Sequence, residues 1–306
     1  MNGRTELFMK TIALDIGGTS IKAGIIENGI LCSQQELATD ALLGGEAVIK
    51  KVENIISGFE CFDCIGISTA GQVDSLNGSI RFANENIPHY TGMQIKSRLQ
   101  KAFNVPVAVE NDVNSAAVGE AHFGAGRGIG DFLCITYGTG VGGAIVLNGN
   151  IYSGSSFSAA EFGHIITHAG GEACNCGQRG CYERYASAGA LVRKAKQLSP
   201  SLTSGREIFA HFNEPAVKEL VDEWITEILY GLTSLVHIFN PSLLVLGGGI
   251  MNEPYIIAEL RKKLPACTMP SYHNVSLKNA ELKNNAGLWG AAYLAEKLFY
   301  KTVPVL

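Results

Sequence analysis

The sequence predicts an α/β protein built from two similar domains with a cleft between them. At 306 residues, the chain is long enough for two domains of ordinary size. A glycine-rich hairpin near its start returns 120 residues later, and five of 12 aligned positions are identical between residues 18–29 and 138–149. The identical pairs are Gly18 and Gly138, Thr19 and Thr139, Ile25 and Ile145, Asn28 and Asn148, and Gly29 and Gly149. Such internal similarity indicates a duplicated unit.

The first domain begins with a β-meander. Residues 11–31 are predicted as strand, glycine turn, strand, Asn-Gly turn and strand, because the turn residues interrupt runs of β-branched residues. Residues 45–58 follow a helical period, and CIGIST (64–69) is a strand. VPVAVE (105–110) is a further strand, which leads through Glu110-Asn111-Asp112 into an alanine-rich helix. The alternation of strands and helices predicts a parallel sheet.

The second domain repeats the hairpin in FLCITYGTGVGGAIVLNGNIY (132–152) and continues into helices. The longest helix is predicted to end at Asn240-Pro241, and SLLVLGGGI (242–250) is a buried strand that enters a glycine turn. The amphipathic stretch LWGAAYLAEKLF (288–299) is expected to cross back to the first half. We therefore expect a small N-terminal domain of residues 1–112 plus about 290–306, and a larger domain of residues 113–289.

Composition and charge exclude several classes of protein. A formal charge of −4 offers no basic surface to nucleic acid. The first ten residues hold no signal-peptide run and no segment reaches 18 uninterrupted apolar residues, so we expect a cytoplasmic protein with no membrane partner. Eight cysteines in a reducing compartment favour metal binding over disulfides. Cys61 and Cys64 have redox-like spacing but lead into a strand, so we interpret them as core packing.

A candidate metal site lies in the middle of the chain. His164, Cys174, Cys176 and Cys181 offer one imidazole and three thiolates within 18 residues, which are the ligand types of a closed, structural zinc site. A disulfide arrangement is the alternative, but it would leave one cysteine unpaired. Glu161 and Glu183 flank these residues and could accept hydrogen bonds from the hydroxyls of a polyol. The alternative for both is an ordinary solvated glutamate.

Glycine turns and strand-end acids form the other candidate sites. Phosphate can approach the backbone at residues 17–19, although the pattern is neither a Walker loop nor a dinucleotide fingerprint. Asp15 beside this turn is interpreted as a Mg²⁺ partner acting through water, or as a simple turn residue. Asp112 is either a catalytic group at the loop end of a strand or a helix cap. Residues 247–249 form a glycine turn suited to adenine or ribose.

Five motifs together resemble the ROK sugar kinases and repressors of the actin-like ATPase superfamily. They are LDIGGTSIKAG and ITYGTGVGGAIV for phosphate, END for catalysis, EFGH with CNCGQRGCYE for sugar and zinc, and VLGGGI for adenosine. The resemblance spans nearly the whole chain in the expected order. It departs at Ala144, where the family often carries a third glycine.

The resemblance implies two actin-like (ribonuclease H-like) domains and an ATP-dependent carbohydrate kinase that uses ATP, Mg²⁺ and a structural Zn²⁺. Asp112 would be the general base for the 6-hydroxyl of a hexose. His164 would give one ring nitrogen to zinc and the other to the sugar. The sugar-binding set would be Gly71, Asn111, Asp112, Glu161, His164 and Glu183. The nucleotide-binding set would be Asp15, Gly17, Gly18, Thr19, Gly138, Thr139, Gly140, Gly248 and Gly249. A homodimer is also expected.

The resemblance leaves the sugar open. Glucose or a β-glucoside is favoured because the C-terminal run is similar to that of β-glucoside kinases, and an N-acetylmannosamine or N-acetylglucosamine kinase is the alternative. A function of another class is a sugar-sensing transcriptional regulator. Such regulators carry an N-terminal helix-turn-helix of about 60 or more residues, which a DNA-binding protein needs in order to fill a major groove. Only 10 residues precede the first strand here, so we expect the kinase.

Overall fold

The structure, a computed structural model, describes residues 9–302. The described residues form two compact units. Unit 1 contains residues 9–123, 153–158 and 285–302, and unit 2 contains residues 124–152 and 159–284. The change of unit after residue 123 differs from the predicted boundary at 112, because the helix that follows Asn111 packs within unit 1. Residues 153–158 also belong to unit 1, which was not predicted from the sequence.

Unit 1 contains one five-stranded sheet and a separate hairpin. Its strands are β1 (Lys10–Ile16), β2 (Ser20–Glu27), β3 (Ile30–Ala38), β4 (Cys64–Thr69), β5 (Gln72–Asp74), β6 (Ser79–Phe82) and β7 (Val107–Asn111). The sheet has the order β3-β2-β1-β4-β7, in which β1, β2 and β3 are antiparallel neighbours and β4 and β7 add in parallel. Strands β5 and β6 pair only with each other among the named strands.

The helices of unit 1 are α1 (Gly45–Ser57), α2 (Ile95–Phe103), α3 (Asp112–Phe123) and α9 (Ala286–Thr302), numbered along the whole chain. In α1, apolar residues three and four positions apart form one buried face, which joins the core around β1. Helix α9 begins before the predicted LWGAAYLAEKLF stretch and packs on both α3 and β4.

Glycines allow α9 to approach its neighbours more closely than side chains would permit. A Cβ atom on Gly290 would overlap the carbonyl oxygen of Ser115 in α3, and one on Gly66 of β4 would overlap that of Ala291. The backbones therefore touch directly, which only glycine permits. In this way α9, although distant in sequence, completes the core of unit 1.

Unit 2 repeats the topology of unit 1. Its strands are β8 (Phe132–Tyr137), β9 (Val141–Leu147), β10 (Asn150–Ile151), β11 (Leu243–Gly247) and β12 (Ser276–Asn279). The order β10-β9-β8-β11-β12 again places an antiparallel meander beside two parallel strands. Asn28-Gly29 and Asn148-Gly149 occupy equivalent hairpin turns with positive φ at all four residues. The prediction of two similar α/β domains is confirmed.

The helices of unit 2 are α4 (Glu183–Ala186), α5 (Ala188–Leu198), α6 (Gly205–Ala210), α7 (Pro215–Phe239) and α8 (Pro254–Cys267). Helix α7 lies at the centre of the core, with Trp224 buried and its ring nitrogen donating to the carbonyl oxygens of Ala186 and Ser187 at 3.0 Å. It ends at Phe239, and the cap residue Asn240 has a left-handed φ of 43°, with Pro241 directly after it. Within residues 9–302, no helix is both long and apolar enough to cross a membrane.

Several elements escaped the sequence prediction. Helix α2 is nine residues long and buries only Ile95 and Leu99, and β12 buries only Leu277, so each offers too few apolar positions to be recognised. Strands β5 and β6 are three and four residues long, which is too short for alternation to be recognised. The interpretation of both Cys61 and Cys64 as core residues is half wrong, since Cys64 is buried but Cys61 is exposed.

The glycine contact between α9 and α3 gives a stability prediction. We expect Gly290→Ala to lower the free energy of unfolding by about 1–3 kcal/mol or more, because the added methyl group meets a backbone oxygen that cannot rotate away. The measurement is the urea midpoint, compared with Gly130→Ala as a control. Gly130 has an ordinary φ and would place its methyl group in open space. Equal midpoints for the two variants would contradict the packing argument.

Candidate functional site

In unit 1, the candidate site is built on the junction between β7 and α3. The side-chain oxygen of Asn111 accepts hydrogen bonds from the backbone N–H groups of Val113 (2.9 Å) and Asn114 (3.1 Å). Its amide group donates to the carbonyl oxygen of Gly71 (2.9 Å) and to Asp112 Oδ1 (2.8 Å). Asn111 therefore caps the helix, and Asp112 Oδ1 accepts a hydrogen bond (2.9 Å) only from the Val113 N–H that Asn111 already binds.

The Asp112 carboxylate lies in a setting that strengthens it as a proton acceptor. Burial, and to a smaller extent the nearby negative charge of Asp15, raise its pKa from 3.8 to about 6, although hydrogen bonds from Val113 and Asn111 act in the opposite direction. A carboxyl group with a pKa near 6 is still mostly ionised at neutral pH. It is also more basic than an exposed aspartate, as general-base chemistry requires.

Asp15 is held in place by two neighbours that the sequence did not single out. The Ser68 hydroxyl donates to Asp15 Oδ1 at 2.6 Å, from the position directly beside Asp15 in the parallel β1–β4 register. A Cβ on Gly287, at the start of α9, would lie 3.0 Å from the same oxygen. Burial raises the pKa of Asp15, while Ser68 and Lys22 lower it. The strand register alone could have revealed Ser68, but the contribution of α9 could not be read from sequence.

Glu110 is a further residue of the junction, to which the sequence analysis assigned no role of its own. It is buried beneath the junction, where its Oε1 accepts hydrogen bonds from the backbone of Asn111 (2.9 Å) and from the Asn114 side chain (3.1 Å). Burial raises the pKa of this carboxyl group. Gly71 has a φ of +100°, and a Cβ there would lie 3.0 Å from the carbonyl oxygen of Phe82. The conformation therefore favours glycine and presents its carbonyl to Asn111.

The predicted nucleotide turns contain glycines that the fold itself does not require. Gly18, Gly138 and Gly249 all lack a left-handed φ, and a Cβ on any of them would meet no protein atom within 4 Å. An open position that is nevertheless glycine fits a backbone approached closely by a ligand. Gly248 differs, because its φ is +101° and a Cβ would overlap the carbonyl oxygen of Tyr137.

Each predicted phosphate turn is held by hydrogen bonds within its own unit. In unit 1, the Thr39 hydroxyl donates to the carbonyl oxygen of Gly17 at 2.6 Å, and its backbone N–H donates to that of Thr19 at 2.9 Å. In unit 2, the backbone N–H of Gly189 in α5 donates to the carbonyl oxygen of Gly138 at 3.1 Å. These bonds leave the turn glycines open while fixing their backbone.

The predicted sugar-binding residues of unit 2 lie on two adjacent segments. Glu161 precedes a 3₁₀ turn, Phe162–His164, and the backbone N–H of His164 donates to the carbonyl oxygen of Glu161 at 3.0 Å, which brings the two residues together. Glu183 begins α4, directly after the buried Tyr182. The backbone N–H of Tyr182 donates to the carbonyl oxygen of Ile165 at 2.8 Å, which joins the two segments.

The four predicted metal ligands come together in unit 2. One ligand atom from each of His164, Cys174, Cys176 and Cys181 lies within 4.8 Å of all the others. Cys174 Sγ is 3.8 Å from His164 Nδ1, and the sulfurs of Cys176 and Cys181 are 3.5 Å apart. All three cysteines are free, so the disulfide alternative is not supported. Three sulfurs and one nitrogen at this spacing fit a tetrahedral zinc ion.

Comparison with known proteins identifies the family. Residues 11–298 match the model of the ROK family. The chain belongs to the ROK family. A glucokinase of Thermotoga maritima is 31% identical over 311 residues, covering 94% of this chain and 98% of that protein. A β-glucoside kinase of Listeria innocua is 32% identical over 296 residues, covering 93% and 97%.

A solved structure is similar over the same extent. A ROK family glucokinase from Streptomyces griseus, in complex with glucose and AMPPNP, has a TM-score of 0.83 and 33% identity, covering 94% of this chain and 99% of that one. These relatives confirm the predicted family, the fold of two actin-like domains and the enzyme class, a sugar kinase.

The ligand cluster generates a prediction about metal content. We expect one zinc per chain, measured by elemental analysis of protein purified without chelator. Cys176→Ser should lose the metal and make residues 164–183 sensitive to protease, because structural zinc sites contribute apparent binding energies of about 10–16 kcal/mol. Cys267→Ser is the control, since Cys267 is an exposed free cysteine at the end of α8. Wild-type protein without zinc would contradict the prediction.

Proposed function

We propose that the chain transfers the γ-phosphoryl group of ATP to the 6-hydroxyl of a hexose or hexose derivative, with glucose or a β-glucoside favoured. The observation that carries this proposal is the Asp112 carboxylate. It lies at the β7–α3 junction, is held by Asn111 and is made more basic by burial and by Asp15. The relatives named glucokinase and β-glucoside kinase support this choice of sugar.

In the proposed reaction, Asp112 accepts the proton of the 6-hydroxyl as the sugar oxygen bonds to the γ-phosphorus and ADP departs. Phosphoryl transfer needs little covalent help from the protein, so the position of the hydroxyl is the main requirement. The hydrogen bond from the Asn111 amide group holds the Asp112 carboxylate, and the Gly71 carbonyl holds the same amide. This arrangement keeps the base oriented before the sugar arrives.

The other sugar hydroxyls would be bound by Asn111, Glu161, His164 and Glu183. His164 Nδ1 faces the sulfur of Cys174, which leaves Nε2 as the ring nitrogen for the sugar. Zinc held by His164, Cys174, Cys176 and Cys181 would supply a fixed loop geometry and tautomer rather than reaction chemistry.

The nucleotide would be bound by the glycine turns at residues 17–19, 138–139 and 248–249. The resemblance also assigns Gly140 to the nucleotide, but Gly140 borders the Glu183 carboxylate instead. Their backbone N–H groups are suitable donors to phosphate oxygens, because Gly18 and Gly138 present no side chain to a ligand. Mg²⁺ would neutralise phosphate charge during transfer, and Asp15 is the carboxylate placed to interact with its water shell. Ser68 fixes Asp15 for this role.

The test of the base is Asp112→Asn. We expect kcat to fall by about 100-fold to 10,000-fold, because the amide cannot accept the proton.

We also expect the melting temperature of Asp112→Asn at pH 7.5 to be unchanged or higher than that of the wild-type protein. Since the folded-state pKa is raised from 3.8 to about 6, the ionised carboxylate destabilises the fold above pH 6, and this cost is relieved as pH falls through 6. A variant with over half the wild-type rate would show that Asp112 is not the base.

The choice of sugar is tested by ADP release across a panel. The panel contains glucose, a β-glucoside, fructose, N-acetylglucosamine and N-acetylmannosamine, each assayed with ATP and Mg²⁺. We expect glucose or the β-glucoside to give the highest kcat/KM. A preference of more than tenfold for an N-acetylated sugar would overturn this substrate choice while leaving the kinase activity intact.

A further inference from the structure

Gly140 differs from the other turn glycines in what surrounds it. Chain neighbours aside, a Cβ on Gly140 would lie 2.5 Å from Glu183 Oε2 and 3.6 Å from the Glu183 carboxyl carbon, with no other atom within 4 Å. At Gly138, two residues earlier in the same turn, a Cβ would meet nothing within 4 Å. The space left by the missing side chain of Gly140 is therefore bordered by a single group, the Glu183 carboxylate.

The backbone of the turn does not explain why residue 140 is glycine. Gly140 lacks the left-handed φ that would disfavour a side chain. In the duplicated hairpin of unit 1, the position 120 residues earlier is Ser20, whose hydroxyl donates to Glu36 at 2.6 Å. A side chain is thus compatible with this part of the hairpin, and the neighbouring carboxylate is the remaining constraint.

The Glu183 carboxylate is confined on both sides. Its Oε1 lies 3.2 Å from Cys174 Sγ, and its Oε2 lies beside Gly140. The backbone of Glu183 is also fixed, because Tyr182 is fully buried and its hydroxyl donates to the carbonyl oxygen of Ile228 at 2.8 Å. Because the backbone is fixed and Cys174 lies beside one oxygen, the space left at residue 140 determines where the second oxygen can lie.

We propose that Gly140 is a positioning residue for the sugar, acting through the Glu183 carboxylate rather than through contact with the nucleotide. This inference rests on the proposed function, in which Glu183 accepts hydrogen bonds from sugar hydroxyls. Under this proposal, two glycines of the same short turn have different roles. Gly138 stays open to phosphate, and Gly140 leaves room for the carboxylate that binds the sugar.

The experiment compares Gly140→Ala with the matched variant Gly138→Ala. The sugar dissociation constant is measured by calorimetry without nucleotide, using glucose or the fastest sugar of the panel, and the KM for ATP is measured at saturating sugar. For Gly140→Ala, we expect the sugar constant to rise about tenfold to a hundredfold, the range for losing one hydrogen bond to a charged group, with the KM for ATP within about twofold of wild type. Gly138→Ala should show the opposite pattern.

Folding is expected to survive in Gly140→Ala, because the group that must move is the end of a flexible side chain. A double-mutant cycle with Glu183→Gln provides the second measurement. If Gly140 acts through Glu183, Glu183→Gln should weaken sugar binding much less in the Gly140→Ala background than in wild type.

Two outcomes would overturn the inference. One is a Gly140→Ala variant with a raised KM for ATP and unchanged sugar binding; the other is a cycle in which the two effects on sugar binding are additive. Both leave the proposed function standing, since the wild-type protein would still phosphorylate the sugar. The proposed function itself fails if the wild-type protein binds and phosphorylates no sugar of the panel.

Discussion

The direct contact of one backbone with another, possible only at glycine, is the constraint on which both units depend. In unit 1, Gly66 and Gly290 bring α9 against β4 and α3, and the same helix then places Gly287 beside Asp15. In unit 2, a Cβ on Gly163 would overlap the carbonyl oxygen of Val141, so strand β9 lies directly against the segment between Glu161 and His164. The same glycine contacts therefore determine both the packing of each unit and the positions of its candidate site residues. A carboxylate has a fixed position only where the backbone that carries it cannot shift.

The electrostatics of unit 1 oppose stability at the point where the chemistry is proposed. Asp15 and Asp112 are two carboxylates close enough to interact, and each is partly withdrawn from water. A fold selected only for stability would replace one of them, since like charges in a poorly solvated place cost free energy. The hydrogen bonds from Ser68 and Asn111 offset part of this cost and fix the two groups. Such an arrangement is typical of sites where a carboxylate must be both ionised and basic.

The features that could be predicted from the sequence are those with a pattern in neighbouring residues. The hairpins, the zinc-ligand spacing and the Glu110-Asn111-Asp112 junction all have local signatures, and the structure contains each of them. The role of Asn111 as the helix cap depends on side-chain rotamers, and that of Ser68 depends on the register between two strands. The contact of Gly287 with Asp15 joins residues at opposite ends of the chain. Short elements such as β12 were missed because one buried residue carries no period. Contacts between residues far apart in the chain could not be predicted from a single sequence, whereas local motifs could.

The position of α9 has a consequence for the synthesis of the protein. The sheet of unit 1 consists of residues 10–111, but the helix that covers it against β1, β4 and β7 comprises residues 286–302. During translation, the sheet therefore emerges from the ribosome long before its covering helix exists, while the whole of unit 2 is still being made. The nascent chain must keep this apolar sheet surface from aggregating until the last helix arrives. A chain terminated before residue 286 would contain Asp15 and Asp112 but lack the helix that packs beside Asp15.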